Sequence, residues 1–336
     1  MSHLRCVVTG PRRVVLAEDT LPSFVPPGGL RIRTIYSLIS PGTELAMYNG
    51  THIGIGDPSI SFAKYPFHPG YAAVGEVVET GEGVVGFTPG DRVFFAGGHA
   101  SEAMVPATSA SLAAVPRGLD LRIAPFARLA QIAYTAPFVA GEAAGKDVAV
   151  IGLGLVGNLA AQLFRRAGAR VFAFDTLPAR RDWARLCGIE HAFTVDGDTV
   201  ENIRRAMGDA KPTIVVEATG SAALVPPCLR LVADRGTVVL LGSPRQTVEL
   251  DVYSLIHRTG AHLVGAHERV IPDAAANATD KRKVTGAMLE ALGAGGLEVR
   301  PLLSRMAAPS EIADCYQALD AEKDKLIGVL LRWSDD

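Results

Sequence analysis

Asp147-Val-Ala-Val-Ile-Gly152-Leu-Gly154-Leu-Val-Gly157-Asn-Leu-Ala-Ala-Gln-Leu-Phe-Arg-Arg-Ala-Gly168-Ala-Arg-Val-Phe-Ala-Phe-Asp175 is the stretch whose reading decides the fold. It opens with a short apolar run, passes through three glycines spaced G-x-G-x-x-G, and continues with apolar residues at helical spacing. A second apolar run then ends in a carboxylate. The glycine spacing alone is a weak signal. Strand, glycine turn, amphipathic helix and a second strand closed by an acid together form the dinucleotide-binding fingerprint.

Each residue in the fingerprint has a physical task. Gly152 permits the tight turn, Gly154 lets backbone approach a pyrophosphate, and Gly157 lets the helix pack close to the strand. Leu155 and Val156 start the helix, whose positive end faces phosphates. Asp175, with Thr176 after it, accepts ribose hydroxyls and repels a 2′-phosphate, which points to NAD. Arg180 and Arg181 keep NADP possible, because arginine beside this strand end accommodates that phosphate; they can equally stack on adenine or face water. Ala218, Thr219 and Gly220 in Val216-Glu-Ala-Thr-Gly220, and Gly242 and Ser243 after Val239-Leu-Leu, read as further strand ends at the carboxyl edge of the sheet.

Outward from this motif, strands alternate with helices, as right-handed βαβ units over a parallel sheet require. Upstream the texture differs. Leu30–Tyr36, Gly75–Glu79 and Asp91–Phe95 are short apolar alternations bounded by turns such as Pro89-Gly90, the pattern of a β-rich barrel or sandwich. Downstream of about residue 267, polar helical segments and the run Lys325–Arg332 suggest a return to the first domain. The expected class is therefore α/β, with a β-rich domain over 1–121, a doubly wound nucleotide-binding domain over 122–266, and a return to the first over 267–336.

Composition narrows the partners. The 336 residues carry 33 basic and 35 acidic side chains, so nothing marks a nucleic-acid or anionic-membrane surface. No apolar run is long enough for a signal peptide or a membrane span, and the expectation is a cytoplasmic protein with a small neutral substrate. Cys6, Cys187, Cys228 and Cys315 lie far apart with no C-x-x-C pair, so they read as reduced, buried thiols.

Beyond the fingerprint, Tyr36-Ser-Leu-Ile-Ser40-Pro-Gly-Thr-Glu44, Pro69-Gly70-Tyr71-Ala72-Ala-Val-Gly75-Glu76-Val77 and Pro89-Gly90-Asp91-Arg92-Val93 complete a set of motifs. With these the chain resembles the medium-chain dehydrogenase/reductase family over nearly its whole length. The resemblance implies a GroES-like catalytic domain, a Rossmann domain and a homodimer paired through an edge strand, with Thr237–Leu241 and Ala261–Val264 as candidates. It also implies where zinc-dependent members hold their metal. Their cysteine ligand falls on Ser40, their histidine on Tyr71, the glutamate after it on Ala72, and the third ligand on Arg128. The four-cysteine lobe is absent from Phe94–Ala103. Zinc wants thiolate, imidazole or carboxylate at close range, so no metal site is expected. His68 and His99 read as hydrogen-bonded side chains or, alternatively, an unrelated metal site.

Without a Lewis acid, hydrogen-bond donors must take the charge that develops on a substrate oxygen. Tyr71 and Ser40 are the candidates, with Glu44 and Arg128 beside them. Tyr71 is either a proton relay or a buried ring, and Ser40 either a substrate donor or part of a plain Ser-Pro-Gly turn. Arg128 can lower the Tyr71 pKa, pair with Glu44 or bind a substrate carboxylate. His52, Asp57 and Lys64 lie in a glycine-rich segment that is either a substrate-facing lid or a surface loop. His257, Arg258 and His267 flank the last apolar strand, where such residues line a cleft or cap the strand end.

The leading expectation is a zinc-independent, NAD-dependent dehydrogenase acting on a secondary alcohol, or the corresponding ketone, of a sugar, cyclitol or natural-product intermediate. An NADPH-dependent quinone or enone double-bond reductase is the enzymatic alternative. A non-catalytic dinucleotide-binding module is the alternative of another class.

Overall fold

The computed structural model describes residues 3–195, 199–273 and 279–335. It divides into two compact units, one formed by residues 1–129, 273–295 and 302–336, the other by 130–272 and 296–301. The class is α/β, as expected.

The first unit is built on a seven-stranded sheet. Its strands run in the order Leu303–Ala307, Gly328–Arg332, Gly29–Ile39, Ala73–Thr80, Arg92–Phe95 and Leu112–Ala114, with Glu102–Pro106 paired to the side of Gly29–Ile39. Gly29–Ile39 is the spine. Its first half pairs with Glu102–Pro106 and its second half with Gly328–Arg332. Register shifts between Arg31 and Ile32 and between Thr34 and Tyr36 give the strand the bend that allows this change of partner. Burial is nearly continuous from Thr34 to Ile39, which is why the run Ile35–Ile39 does not alternate. A hairpin, His3–Gly10 with Arg13–Asp19, packs Cys6, Val8 and Val14 into a core shared with the helices Thr43–Asn49 and Ile312–Ala321.

The second unit is a six-stranded parallel sheet. Numbered along the chain from Asp147–Ile151, its strands lie in the order 3-2-1-4-5-6, the doubly wound arrangement whose order reverses between strands 1 and 4. Those two are Asp147–Ile151 and Ile214–Glu217, paired from Val148 to Ile151. Their carboxyl ends carry Gly152 and Ala218, so the topology itself places the fingerprint loop at the switch point.

The borders differ from the expected 121/122 and 266/267. Pro125 is followed by one continuous helix, Phe126–Ala140, and the units divide inside it rather than before it. Residues 296–301 also rejoin the second unit, where Gln162 donates to the Glu298 carbonyl at 2.9 Å and accepts the Glu298 N–H at 2.8 Å. A short polar return of this kind leaves no mark in hydropathy.

Candidate active site

The second unit holds the cradle. A Cβ on Gly157 would lie 1.9 Å from the Gly152 carbonyl oxygen, and Gly152, at φ +96°, would drive one to 2.7 Å from the Thr219 methyl. A larger residue at Gly157 pushes helix Leu155–Arg166 away from the glycine loop, and one at Gly152 presses on the 218–219 turn. A Cβ on Gly154 would meet nothing within 4 Å, so open space remains beside the helix start. Asp175 accepts the Leu153 N–H at 2.7 Å through Oδ2 and the Leu177 N–H at 2.9 Å through Oδ1. The carboxylate is thereby aimed at the glycine loop.

Sequence reasoning missed Glu217, which is fully buried immediately before the candidates Ala218, Thr219 and Gly220. It accepts the Thr219 N–H at 2.8 Å and the Gly220 N–H at 3.1 Å, together with the Thr219 hydroxyl. Its backbone carbonyl takes the N–H groups of Leu241 and Gly242. One residue thus ties the 218–220 turn to the 241–243 turn. Arg181 donates to the carbonyls of Asp175 and Thr176 at 2.8 and 3.0 Å, and Arg180 lies over the Trp183 ring at 5.4 Å. Burial lowers the Arg180 pKa, and the Asp175 charge partly restores it. The glycine cradle, the aimed carboxylate and the helix end fit a nicotinamide dinucleotide.

In the first unit the structure brings Ser40, Glu44, Tyr71 and Arg128 together. The Tyr71 hydroxyl donates to Ser40 Oγ at 2.5 Å, and the Arg128 guanidinium carbon lies 5.5 Å from the centre of the Tyr71 ring. Ser40 and Arg128 are buried, and Tyr71 is half-buried. Burial and the Glu44 charge push the Tyr71 phenol up to about 12, against smaller pulls from Ser40, Arg128 and Thr43. Arg128 alone therefore does not make this phenol a base at neutral pH.

Pairing with Glu44 was one of the alternatives for Arg128, but Glu44 bonds to Ser40, His99 and Tyr316. Fully buried in the first turn of helix Thr43–Asn49, it accepts the Ser40 N–H at 3.0 Å through Oε1. Oε2 lies 2.9 Å from His99 Nε2 and accepts the Tyr316 hydroxyl at 2.5 Å. His99 Nδ1 is 2.8 Å from Ser37 Oγ, which also accepts the Trp333 Nε1–H at 2.8 Å. Ser37, His99, Tyr316 and Trp333 were not singled out for this site. His99 was expected to be a hydrogen-bonded side chain or, alternatively, part of an unrelated metal site, and it is hydrogen-bonded to Glu44 and Ser37.

The other candidates are separate. His68 is exposed and bonded to Arg5 at 3.3 Å. His52 accepts the Gly54 N–H and packs its ring on Phe62, and Asp57 accepts from the Ser59 N–H and hydroxyl, so both are used within their own loop. Ile55, Ile60 and Tyr65 anchor that loop to the core, and Lys64 is exposed. His267 accepts the Arg269 N–H and caps the turn Glu268–Val270. The four cysteines are free and buried.

Zinc does not fit the first unit's donors. Ser40 and Tyr71 are neutral hydroxyls bonded to each other, and the Arg128 guanidinium lies alongside them. Among the described residues, no three His, Cys, Asp or Glu side chains gather as a metal site.

Comparison with known proteins agrees with this geometry. A family model described as alcohol dehydrogenase GroES-like domain matches residues 26–116, and one described as zinc-binding dehydrogenase matches residues 156–281. The chain belongs to the medium-chain dehydrogenase/reductase family. It is similar to a D-guloside 3-dehydrogenase of Shigella flexneri, with 31% identity over 182 residues, 53% of this chain and 51% of that protein. It thus spans about half the length of that relative. A 2-desacetyl-2-hydroxyethyl bacteriochlorophyllide A dehydrogenase of Cereibacter sphaeroides is 27% identical over 343 residues, 97% of each chain. Among solved structures, an oxidoreductase/dehydrogenase of unknown specificity from Escherichia coli shares the fold over 100% of both chains, with a TM-score of 0.85 and 18% identity. No helix among the described residues is long and apolar enough to cross a membrane.

Proposed function

We propose that the chain is a NAD-dependent dehydrogenase that works without zinc on a secondary alcohol, or the matching ketone, of a sugar, cyclitol or natural-product intermediate. The observation that carries this reading is the Tyr71–Ser40 pair at 2.5 Å, standing where relatives place metal ligands. Relatives named for a guloside and for a bacteriochlorophyllide support a hydroxyl-bearing substrate of this kind.

Gly152, Gly154, Leu155, Val156 and Gly157 would hold the pyrophosphate. Asp175 and Thr176, with Arg180 beside them, would hold the adenosine ribose, and Ala218, Thr219, Gly220, Gly242 and Ser243 would line the remainder. Bound there, the nicotinamide supplies or takes the hydride. Tyr71 and Ser40 carry two hydroxyl hydrogens, and the bond between them uses one. The other is left to hold a substrate oxygen. A phenol raised to about 12 stays protonated near neutrality, so Tyr71 acts as a donor and general acid. In the ketone-reducing direction the free Ser40 hydroxyl hydrogen would move to the substrate oxygen and the Tyr71 phenol proton would replace it on Ser40.

Four buried, free cysteines support a reducing, cytoplasmic setting. The partly exposed edge strand His262–Gly265 supports a homodimer.

The test is cofactor turnover after exhaustive dialysis against EDTA, using L-threonine, methyl D-gulosides, polyols and their ketones as probes. Turnover that survives the chelator and falls at least about tenfold in Tyr71→Phe, roughly 1.4 kcal/mol of barrier, supports the reading. Activity abolished by EDTA and restored by zinc refutes it. Tight NADH binding with no turnover on any probe makes the chain a non-catalytic module instead.

A further inference from the structure

The chain Glu44–His99–Ser37 has the composition of a hydrolase triad. Ser37, however, is fully buried and already accepts the Trp333 N–H, so no substrate carbon can reach its oxygen. The same atoms suit a different task.

Among the described residues, His99 is tied to both halves of the Ser40–Tyr71 pair. Its backbone N–H donates to the Pro69 carbonyl at 2.9 Å, which fixes the turn that delivers Tyr71. That turn depends on Gly70, at φ +97°, where a Cβ would lie 2.4 Å from the His99 nitrogen. The His99 imidazole reaches the other half through Glu44. Glu44 Oε1 holds the Ser40 N–H, and Oε2 receives His99 and Tyr316. The tautomer follows from the far end. Trp333 can only donate to Ser37, so the Ser37 hydroxyl is free to donate to Nδ1, leaving the ring proton on Nε2 to face the carboxylate.

We propose that His99, with Tyr316, is the positioning residue of this site, acting through Glu44 to hold Ser40 Oγ within hydrogen-bond reach of the Tyr71 hydroxyl. The functional importance of that contact rests on the reading of Tyr71 and Ser40 as the substrate-oxygen donors. The positioning itself does not, and can be read without substrate. Truncating His99 removes a donor from a buried carboxylate, which must then re-aim toward the Ser40 amide or draw in water. Either response moves the oxygen that Tyr71 bonds.

The experiment uses the full chain labelled with carbon-13 at tyrosine Cζ, a nucleus whose resonance reports the hydrogen bonding of its own hydroxyl. Among the seven tyrosines, Tyr71 is assigned by the signal lost in Tyr71→Phe. His99→Leu is expected to shift that signal by more than its linewidth. His99→Gln, whose amide offers a donor to Glu44 and an acceptor to Ser37, is expected to restore it. Cys6→Ala, which thins the same core without removing a donor, is expected to leave it in place. An unmoved signal in His99→Leu overturns the proposal, as does a glutamine variant that shifts as far as leucine or a Cys6→Ala shift of equal size. Should His99→Leu fail to fold, Tyr316→Phe removes one hydroxyl donor to the same carboxylate, and an unmoved signal there overturns the proposal equally. Loss of turnover in Tyr71→Phe is a separate measurement, so the functional reading and the positioning can fail independently.

Discussion

Replacing Glu44 tests how much of the first unit's stability rests on one buried carboxylate. Glu44→Ala leaves three donors facing an emptied space: the Ser40 N–H, the Tyr316 hydroxyl and the His99 Nε2–H. Each orphaned buried group costs about 1–3 kcal/mol, and a water entering the cavity re-satisfies part of that. The expected loss is about 3–6 kcal/mol, or roughly 6–20 °C of melting temperature for a unit of this size. Glu44→Gln is the instructive contrast. With its oxygen toward Ser40 and its amide toward the other two, Tyr316 can accept, and His99 can accept at Nε2 if its proton moves to Nδ1 and faces Ser37. That rearrangement keeps the Ser40 N–H paired and gives Tyr316 and His99 one bond each, leaving the Tyr316 and Ser37 hydroxyl hydrogens without their former acceptors, so the loss falls to about 1–3 kcal/mol. Urea unfolding followed by Trp333 fluorescence in a Trp183→Phe background reads the first unit alone, because these are the chain's two tryptophans. An alanine variant within about 1 kcal/mol of the parent, or a glutamine variant as damaged as alanine, would refute the three-donor account.

Three further outcomes are expected. A phenol raised from 10.0 to about 12 binds its proton more tightly in the folded state, so the stability Tyr71 contributes is complete below pH 10 and declines as pH rises toward 12; alkaline unfolding should begin at higher pH in Tyr71→Phe than in the parent. Gly157→Ala places a Cβ 1.9 Å from the Gly152 oxygen, so the helix must retreat by about 1 Å at a cost of about 1–3 kcal/mol, and NADH titration by fluorescence should weaken by at least about fivefold. Asp175→Ser removes both the acceptor of the Leu153 N–H and the charge that repels a 2′-phosphate; calorimetric titration should show NAD binding weakened and NADP binding gained, and an unchanged ratio would remove Asp175 from cofactor choice.

The fingerprint is legible because its physics is local. Gly152, Gly154, Gly157 and Asp175 lie within one strand-turn-helix-strand segment, and each is demanded by contacts inside it. The first unit's site is legible only in part. Ser40 and Tyr71 stand in recognisable motifs, but the residues that hold them in place come from remote stretches, with Glu44 meeting His99 across 55 residues and Tyr316 across 272. Nothing near His99 announces a carboxylate partner. Tyr316 reads as one more apolar position on a short helix, and Trp333 as the tail of an edge run. Glu44 itself hides in what reads as a Ser-Pro-Gly turn, because a helix as short as Thr43–Asn49 is held by tertiary packing rather than by propensity. The division of the units inside helix Phe126–Ala140 leaves no mark in the sequence, because one continuous helix signal runs through it.

The threading of the chain also bears on how it is made. The second unit has all its segments once residue 301 has been synthesised, whereas the first waits for Gly328–Arg332, the strand that pairs with Gly29–Ile39 in the middle of its sheet. On the ribosome the amino-terminal segment therefore emerges first and closes last, with one side of the spine strand's second half unpaired until residues 328–332 have emerged. A nascent chain in that state presents an apolar edge, Ile35 to Ile39, which is the kind of surface that recruits chaperones or mispairs with a neighbour. Stop codons placed between residues 302 and 328 should therefore yield aggregates rather than a shortened but soluble nucleotide-binding protein.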